Sequence, residues 1–169
     1  MNKSLVMTVI APDRPGLVDS IASTVARHQG SWLESRMANL AGSFAGIVRV
    51  ECPPDQVPGL IAALESLEDL TINAVEEAAI EAPAAKTLIF DVLGNDRPGI
   101  IKQLAAAIAA AGGNVEELNS DLESAPMSGQ PVFRATGTIG VPPDFDPDTI
   151  TNALEDLGPD LSISIAPGE

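Results

Sequence analysis

The sequence predicts an α+β fold built from two tandem βαββαβ units, each a four-stranded antiparallel sheet with two helices on one face. Three observations carry that expectation. The stretch "APDRPGLV" (Ala11 to Val18) returns as "GNDRPGII" (Gly94 to Ile101), with Asp-Arg-Pro-Gly unchanged. The shift that carries Asp13 onto Asp96 also carries Leu17, Ile21, Ala22 and Val25 onto Ile100, Leu104, Ala105 and Ile108, and Gly30 onto Gly113. Finally, a chain of 169 residues, 45% hydrophobic, supplies two cores of about 80 residues each.

The elements follow in order. Leu5 to Ile10 is an apolar run of strand length, and Pro15 to His28 carries apolar residues on one helical stripe. Pro15 suits the first helical position, where its missing N–H costs nothing, and Gly30 suits a left-handed residue ending the helix. Trp32 to Leu40 and Phe44 to Cys52 form two strands around the turn residues Ala41-Gly42. Val57, Leu60, Ile61, Leu64 and Leu67 mark a second helix, and Leu70 to Ile80 the last strand. The second copy repeats the series as Leu88 to Leu93, Pro98 to Ala111, Val115 to Glu123, Val132 to Ile139, Pro147 to Leu157 and Leu161 to Ile165. A slightly longer shift carries Phe44 to Asp55 onto Phe133 to Asp144, so the second copy has gained the loop-like "APMSGQP". The resulting units, 1–80 and 87–169, are joined by a short linker, 81–86, and each has the ferredoxin-like connectivity.

At the repeated loop a strand turns into a helix, whose unpaired N–H groups and dipole attract a carboxylate or phosphate. Gly16 and Gly99 leave the backbone open to approach, while Asp13 and Asp96 set an anion beside the same place. A zwitterion reconciles the two: its carboxylate meets the N–H groups and its ammonium meets the aspartate. The alternative is that each aspartate only caps a helix, and Arg14 and Arg97, each preceding proline, only face solvent. The candidate residues are Pro12, Asp13, Gly16 and Leu17 in the first copy and Asn95, Asp96, Gly99 and Ile100 in the second. The second is favoured, because the Asn95 amide can both donate and accept where Pro12 cannot.

The chain resembles tandem ACT-domain proteins, among them the glycine cleavage system transcriptional repressor family, through "DRPGLVDSIASTVARHQG", "ESRMANLAGSFAG", "GNDRPGIIKQLAAAIAAAGGNVEEL" and "APMSGQPVF". That resemblance implies sensing of a small amino acid, glycine first, at the strand-to-helix loop, and an interface with a neighbouring unit. It also implies transcriptional control. Several amino-acid-binding members have Asn where Asp13 and Asp96 stand, so their ligand contact does not transfer unchanged.

Other classes of function find little support. A formal net charge of -15, from 24 acidic and 9 basic residues, repels phosphate backbones and anionic membranes. With the basic residues scattered singly and no recognition helix, a transcriptional role calls for a separate DNA-binding regulator as protein partner. No stretch approaches the roughly 20 apolar residues of a membrane span, and the run after Lys3 lacks a signal-peptide cleavage site. A single cysteine, Cys52, fits a reducing cytoplasm. "DFDPDTITNALE" (Asp144 to Glu155) imitates a calcium loop, but Thr149 stands where glycine is required, and Asp146-Pro147 reads better as a helix start. No catalytic residue, metal or cofactor is expected. The alternatives to a sensor are a ligand-independent assembly protein and, less favoured, a small enzyme of amino-acid metabolism. Edge strands leave homo-oligomer formation open.

Overall fold

The computed structural model describes residues 1–78 and 85–169. Residues 81–84 of the expected linker, and the last two residues of the strand expected to end at Ile80, lie outside them. The chain divides into two compact units, Met1–Ile80 and Glu81–Glu169.

The first unit comprises β1 (Lys3–Pro12), α1 (Leu17–Arg27), β2 (Ser31–Leu40), β3 (Ser43–Cys52), α2 (Val57–Glu65) and β4 (Thr71–Glu76). The second comprises β5 (Lys86–Asn95), α3 (Ile100–Ala110), β6 (Asn114–Ser124), β7 (Pro131–Val141), α4 (Pro147–Glu155) and β8 (Ser162–Pro167). Their sheets have equivalent orders, β2-β3-β1-β4 and β6-β7-β5-β8, and all pairings are antiparallel. The expected α+β, ferredoxin-like repeat is therefore present in both halves.

Alternation along the central strands decides which face is buried. Leu5, Met7, Val9 and Ala11 of β1 face Leu17, Ile21 and Val25 of α1 and Leu60 and Leu64 of α2 in one core. Leu88, Phe90 and Val92 of β5 meet Ile100, Leu104 and Ile108 of α3 and Ile150 and Leu154 of α4 in the other. Both edge strands β2 and β6 carry a bulge at equivalent places, between Trp32 and Glu34 and between Val115 and Glu117. The extra residue bends each edge and interrupts its ladder.

Two helix boundaries differ from expectation. Neither Pro15 nor Pro98 is the first helical residue; α1 and α3 start two positions later, at Leu17 and Ile100. The intervening glycines, Gly16 at φ 88°, ψ 2° and Gly99 at φ 81°, ψ 10°, have the dihedrals of the third residue of a type II turn. Pro-Gly is the signature of that turn, so Arg-Pro-Gly-Leu and Arg-Pro-Gly-Ile reverse the chain before the helix begins. At the other end, Gln29 (φ 57°) and Gly112 (φ 93°) are the left-handed residues, not Gly30 and Gly113. These two glycines serve close packing. A Cβ on Gly113 would lie 2.7 Å from Ile139 Cγ2, 2.9 Å from Ile108 Cγ2 and 3.0 Å from Ile150 Cδ1, and one on Gly30 2.7 Å from Val25 Cγ1. The helix Pro147–Glu155 starts as expected, with the Asp146 carboxylate accepting from Asp148 N–H at 3.0 Å.

The sheet faces away from the helices differ between the units. In the first, Ile10, Leu40, Ile47 and Val75 are more than half exposed there. Arg49 lies between Glu77, at 2.9 Å, and Glu34, at 3.5 Å. In the second, β6 presents Glu117, Asn119, Asp121 and Glu123 outward, and Arg134 pairs with Asp91 at 2.7 Å.

Two measurements test this description. Gly113→Ala should lower the unfolding free energy by about 1–3 kcal/mol, because three branched side chains must give way. A lower urea midpoint with an unchanged slope is the expected outcome. The Glu77 carboxyl is held below its ordinary 4.5 by a hydrogen bond from Ser4 and then by Arg49. The stability it contributes is present above that value and lost as pH falls through the lower folded one. Glu77→Gln should therefore make the loss of stability in acid shallower, and added salt should shrink the difference, since the pair is exposed; urea midpoints across the acid range check both.

Candidate functional site

Each repeated loop is pinned to its unit from two sides, and the pins are equivalent. On one side the aspartate N–H donates to the hairpin between the edge strand and its neighbour: Asp13 N–H to Gly42 C=O at 2.9 Å, and Asp96 N–H to Pro131 C=O at 3.3 Å. On the other side the arginine donates to the turn between the second helix and the last strand: Arg14 Nη2 to Glu68 C=O at 3.4 Å, and Arg97 Nη2 to Leu157 C=O at 3.0 Å. The shift that carries Gly42 onto Pro131 also carries Glu68 onto Leu157. The expectation that Arg14 and Arg97 only face solvent is thus replaced by a tether made in both copies.

Between the pins lie the candidate residues. Pro12 and Asn95 end β1 and β5, and Asp13, Gly16, Asp96 and Gly99 are exposed. Leu17 and Ile100 are buried, 2% and 4% exposed, and anchor the helix starts in the cores. No side chain caps α1 or α3. Capping by Asp13 or Asp96, the alternative reading of the motif, does not occur. Instead the Gly16 and Gly99 carbonyls accept from Ser20 and Gln103 N–H at 2.9 and 3.0 Å, opening each helix by backbone alone. One N–H expected to face a ligand is engaged: Ile100 N–H closes the type II turn onto Arg97 C=O at 3.3 Å.

The two loops are not alike. In the first, the Asn39 amide of β2 donates to the Asp13 carboxylate. The residue in that register in the second is Leu122: Asn39 pairs with Phe44 and Leu122 with Phe133, and Leu122 is 66% exposed. Asp96 consequently has no amide donor from its edge strand. The arginines differ in the opposite sense. Arg14 is exposed and reaches Asp69 at 3.8 Å, whereas Arg97 is half-buried and also binds Gln103 at 2.9 Å and Asp160 at 3.7 Å. Arg97 Nε is buried without an acceptor among the described residues, which costs about 1–3 kcal/mol.

Sequence reasoning missed Asn39, Gly94 and Asp160. Only strand register brings Asn39 to Asp13. Gly94 admits the α4–β8 turn so closely that a Cβ there would collide with Leu161 Cδ2. A separate, open hollow of about 390 Å³ lies on the outer face of the first unit over Val6 and Ile47, where the Arg49 guanidinium is already shared by Glu34 and Glu77. Among the described residues, no helix is long and apolar enough to cross a membrane.

Comparison with known proteins bears on the fold. Residues 3–74 match the family model of the ACT domain. No curated protein matches the sequence. The crystal structure of an unknown protein from Galdieria sulphuraria is 26% identical over 100% of both chains, with a TM-score of 0.87. The crystal structure of a "putative glycine cleavage system transcriptional repressor" is 18% identical over 100% of this chain and 99% of that one, with a TM-score of 0.68. The second likeness is one of fold. The first unit is thus similar in sequence to an ACT domain and the second repeats its architecture, so the chain has a two-domain ACT-like fold.

Proposed function

We propose that this chain is a regulatory protein that senses a small amino acid at the second-unit loop, glycine being the first ligand to test. It acts through a separate DNA-binding partner in transcriptional control of glycine cleavage. The observation that carries the reading is the unequal state of the two aspartates: Asn39 engages Asp13, while Leu122 replaces that donor near Asp96. A ligand ammonium meets at Asp96 a carboxylate with no partner among the described residues, and its carboxylate meets the Gly99 N–H and the positive end of α3. Asn95 orients either end. The glycine assignment and the role in transcription rest on family resemblance; the loop itself selects for a small zwitterion. The cytoplasm is the proposed location, on the strength of the single, buried Cys52.

The first loop, with Pro12, Asp13, Gly16 and Leu17, is the weaker copy, since a ligand there competes with the Asn39 amide. The role is regulatory rather than enzymatic. Partner recognition, and homo-oligomer formation if it occurs, falls to the exposed strands. The apolar outer face of the first unit, with Ile10, Leu40, Ile47 and Val75, favours a second reading, a ligand-independent assembly protein.

Thermal shift and calorimetry with glycine, alanine, serine and larger amino acids separate the two. Ligand at about 100 times its dissociation constant should stabilise the fold by roughly 2.7 kcal/mol. Asp96→Ala should abolish that gain with little unfolding, and Asp13→Ala should reduce it less. An unchanged melting transition at millimolar amino acid, or equal responses from both variants and the parent, leaves the assembly reading. The purified chain alone should give no sequence-specific shift of promoter DNA in a gel at physiological salt; a saturable shift overturns the need for a DNA-binding partner.

A further inference from the structure

The geometry points to Arg97 as a positioning residue that couples the Asn95–Gly99 loop to the edge strand β8 through the turn Leu157–Leu161. The inference deepens the sensing role assigned to that loop and rests on it for its purpose, though the coupling can be measured without ligand.

Arg97 joins the loop to the turn, and the strand end just before the loop meets the same turn. Arg97 spans them with one guanidinium, donating to Leu157 C=O at 3.0 Å and lying 3.7 Å from Asp160 Oδ1, while Gln103 of α3 accepts from the same Nη2 at 2.9 Å. Gly94, next to the last residue of β5, is the second contact. A Cβ on it would meet Leu161 Cδ2 and lie 3.3 Å from Asp160 C=O. The turn is shaped to receive the arginine as well, since a Cβ on Gly158 would stand 3.3 Å from Arg97 Nη1. β8 starts one residue beyond this turn, with Ser162 paired to Leu93. It is the outermost strand of its sheet, so one row of its N–H and C=O groups has no partner strand among the described residues.

Loop displacement therefore moves the start of β8. A ligand that draws on Asp96 and the Gly99 N–H pulls at the two residues flanking Arg97-Pro98. The planar fork transfers that movement to a carbonyl and a carboxylate across the turn. The Arg97 Nε is buried with no acceptor among the described residues, so the guanidinium keeps this position although one of its donors is unsatisfied there. In the first unit the equivalent hydrogen bond is longer, 3.4 Å from an exposed Arg14 to Glu68 C=O, and Ala11 occupies the place of Gly94. The coupling is thus concentrated in the unit whose aspartate carboxylate has no partner among the described residues.

Amide hydrogen exchange on the full chain tests the inference. Without ligand, Arg97→Gln should speed exchange about tenfold both in the loop, residues 95–100, and in the turn and strand start, 157–163, while the β5–β7 ladder stays protected. Arg97→Lys, which keeps the charge and loses the fork, should reproduce the effect, and Asp160→Asn should give a smaller version of it. Acceleration confined to one of the two segments overturns the coupling. If Arg97→Gln opens the whole unit uniformly, Arg97→Lys and Asp160→Asn decide: a paired local effect supports the coupling, and a uniform or absent one overturns it. With glycine added, the parent should gain protection in both segments, and Arg97→Lys in the loop alone. Protection of the parent's loop without its turn overturns the coupling and leaves sensing intact. Protection of neither removes glycine as ligand, and the exchange pattern without ligand still decides the coupling.

Discussion

Everything in each unit depends on one crossing, from the central strand over the sheet into the first helix. The strand must hand its chain to a helix whose first residue, Leu17 or Ile100, is already buried, so the turn has few residues in which to reverse direction. Pro-Gly does this by confining one φ and permitting the other to be positive. The same demand explains why both halves carry an identical tetrapeptide. Asp and Arg precede the Pro-Gly reversal and fasten it in opposite directions, one by its backbone to the hairpin and the other by its side chain to the far turn. A loop held in this way keeps a defined shape, and the Asp13, Asp96 and Ile100 N–H groups are used in holding it.

Divergence between the copies then works on a shared frame. Replacing Asn39 by Leu122 changes what an aspartate on the neighbouring loop can do, although the two residues occupy the same register against a buried phenylalanine. Replacing Ala11 by Gly94 changes how near the last turn can come. Neither exchange touches the Asp-Arg-Pro-Gly sequence. Two loops identical in their motif are therefore unequal in electrostatics and in mechanical connection, and the differences come from neighbours distant in sequence.

Much of the architecture was legible because it rests on side-chain alternation. Leu5, Met7 and Val9, and Leu88, Phe90 and Val92, announce buried strand faces, and Asp146-Pro147 announces a helix start by the chemistry that creates it. The site was legible only in part. The arginine tethers end on backbone carbonyls, and a carbonyl looks the same whether its residue is Glu68 or Leu157. The Asn39 contact depends on a hairpin register that the bulge after Trp32 has already shifted. Pro15 and Gly30 were informative as residue types but open to two readings each. Proline fits a turn as well as a helix start, and glycine fits a crowded contact as well as a left-handed one.

The six added residues Ala125 to Gln130 show how such a unit accommodates change. They lengthen the hairpin between β6 and β7, yet Pro131 C=O still receives the Asp96 N–H and Leu157 C=O still receives Arg97. The added chain turns back on itself, with Ala125 N–H bonded to Gln130 C=O and Gly129 N–H to Ala125 C=O. Length is absorbed before the first fastening point, so the loop beyond it does not register the change. Such a hairpin is a place where surface features, and with them new neighbours in the cell, can be gained without retuning what the protein recognises.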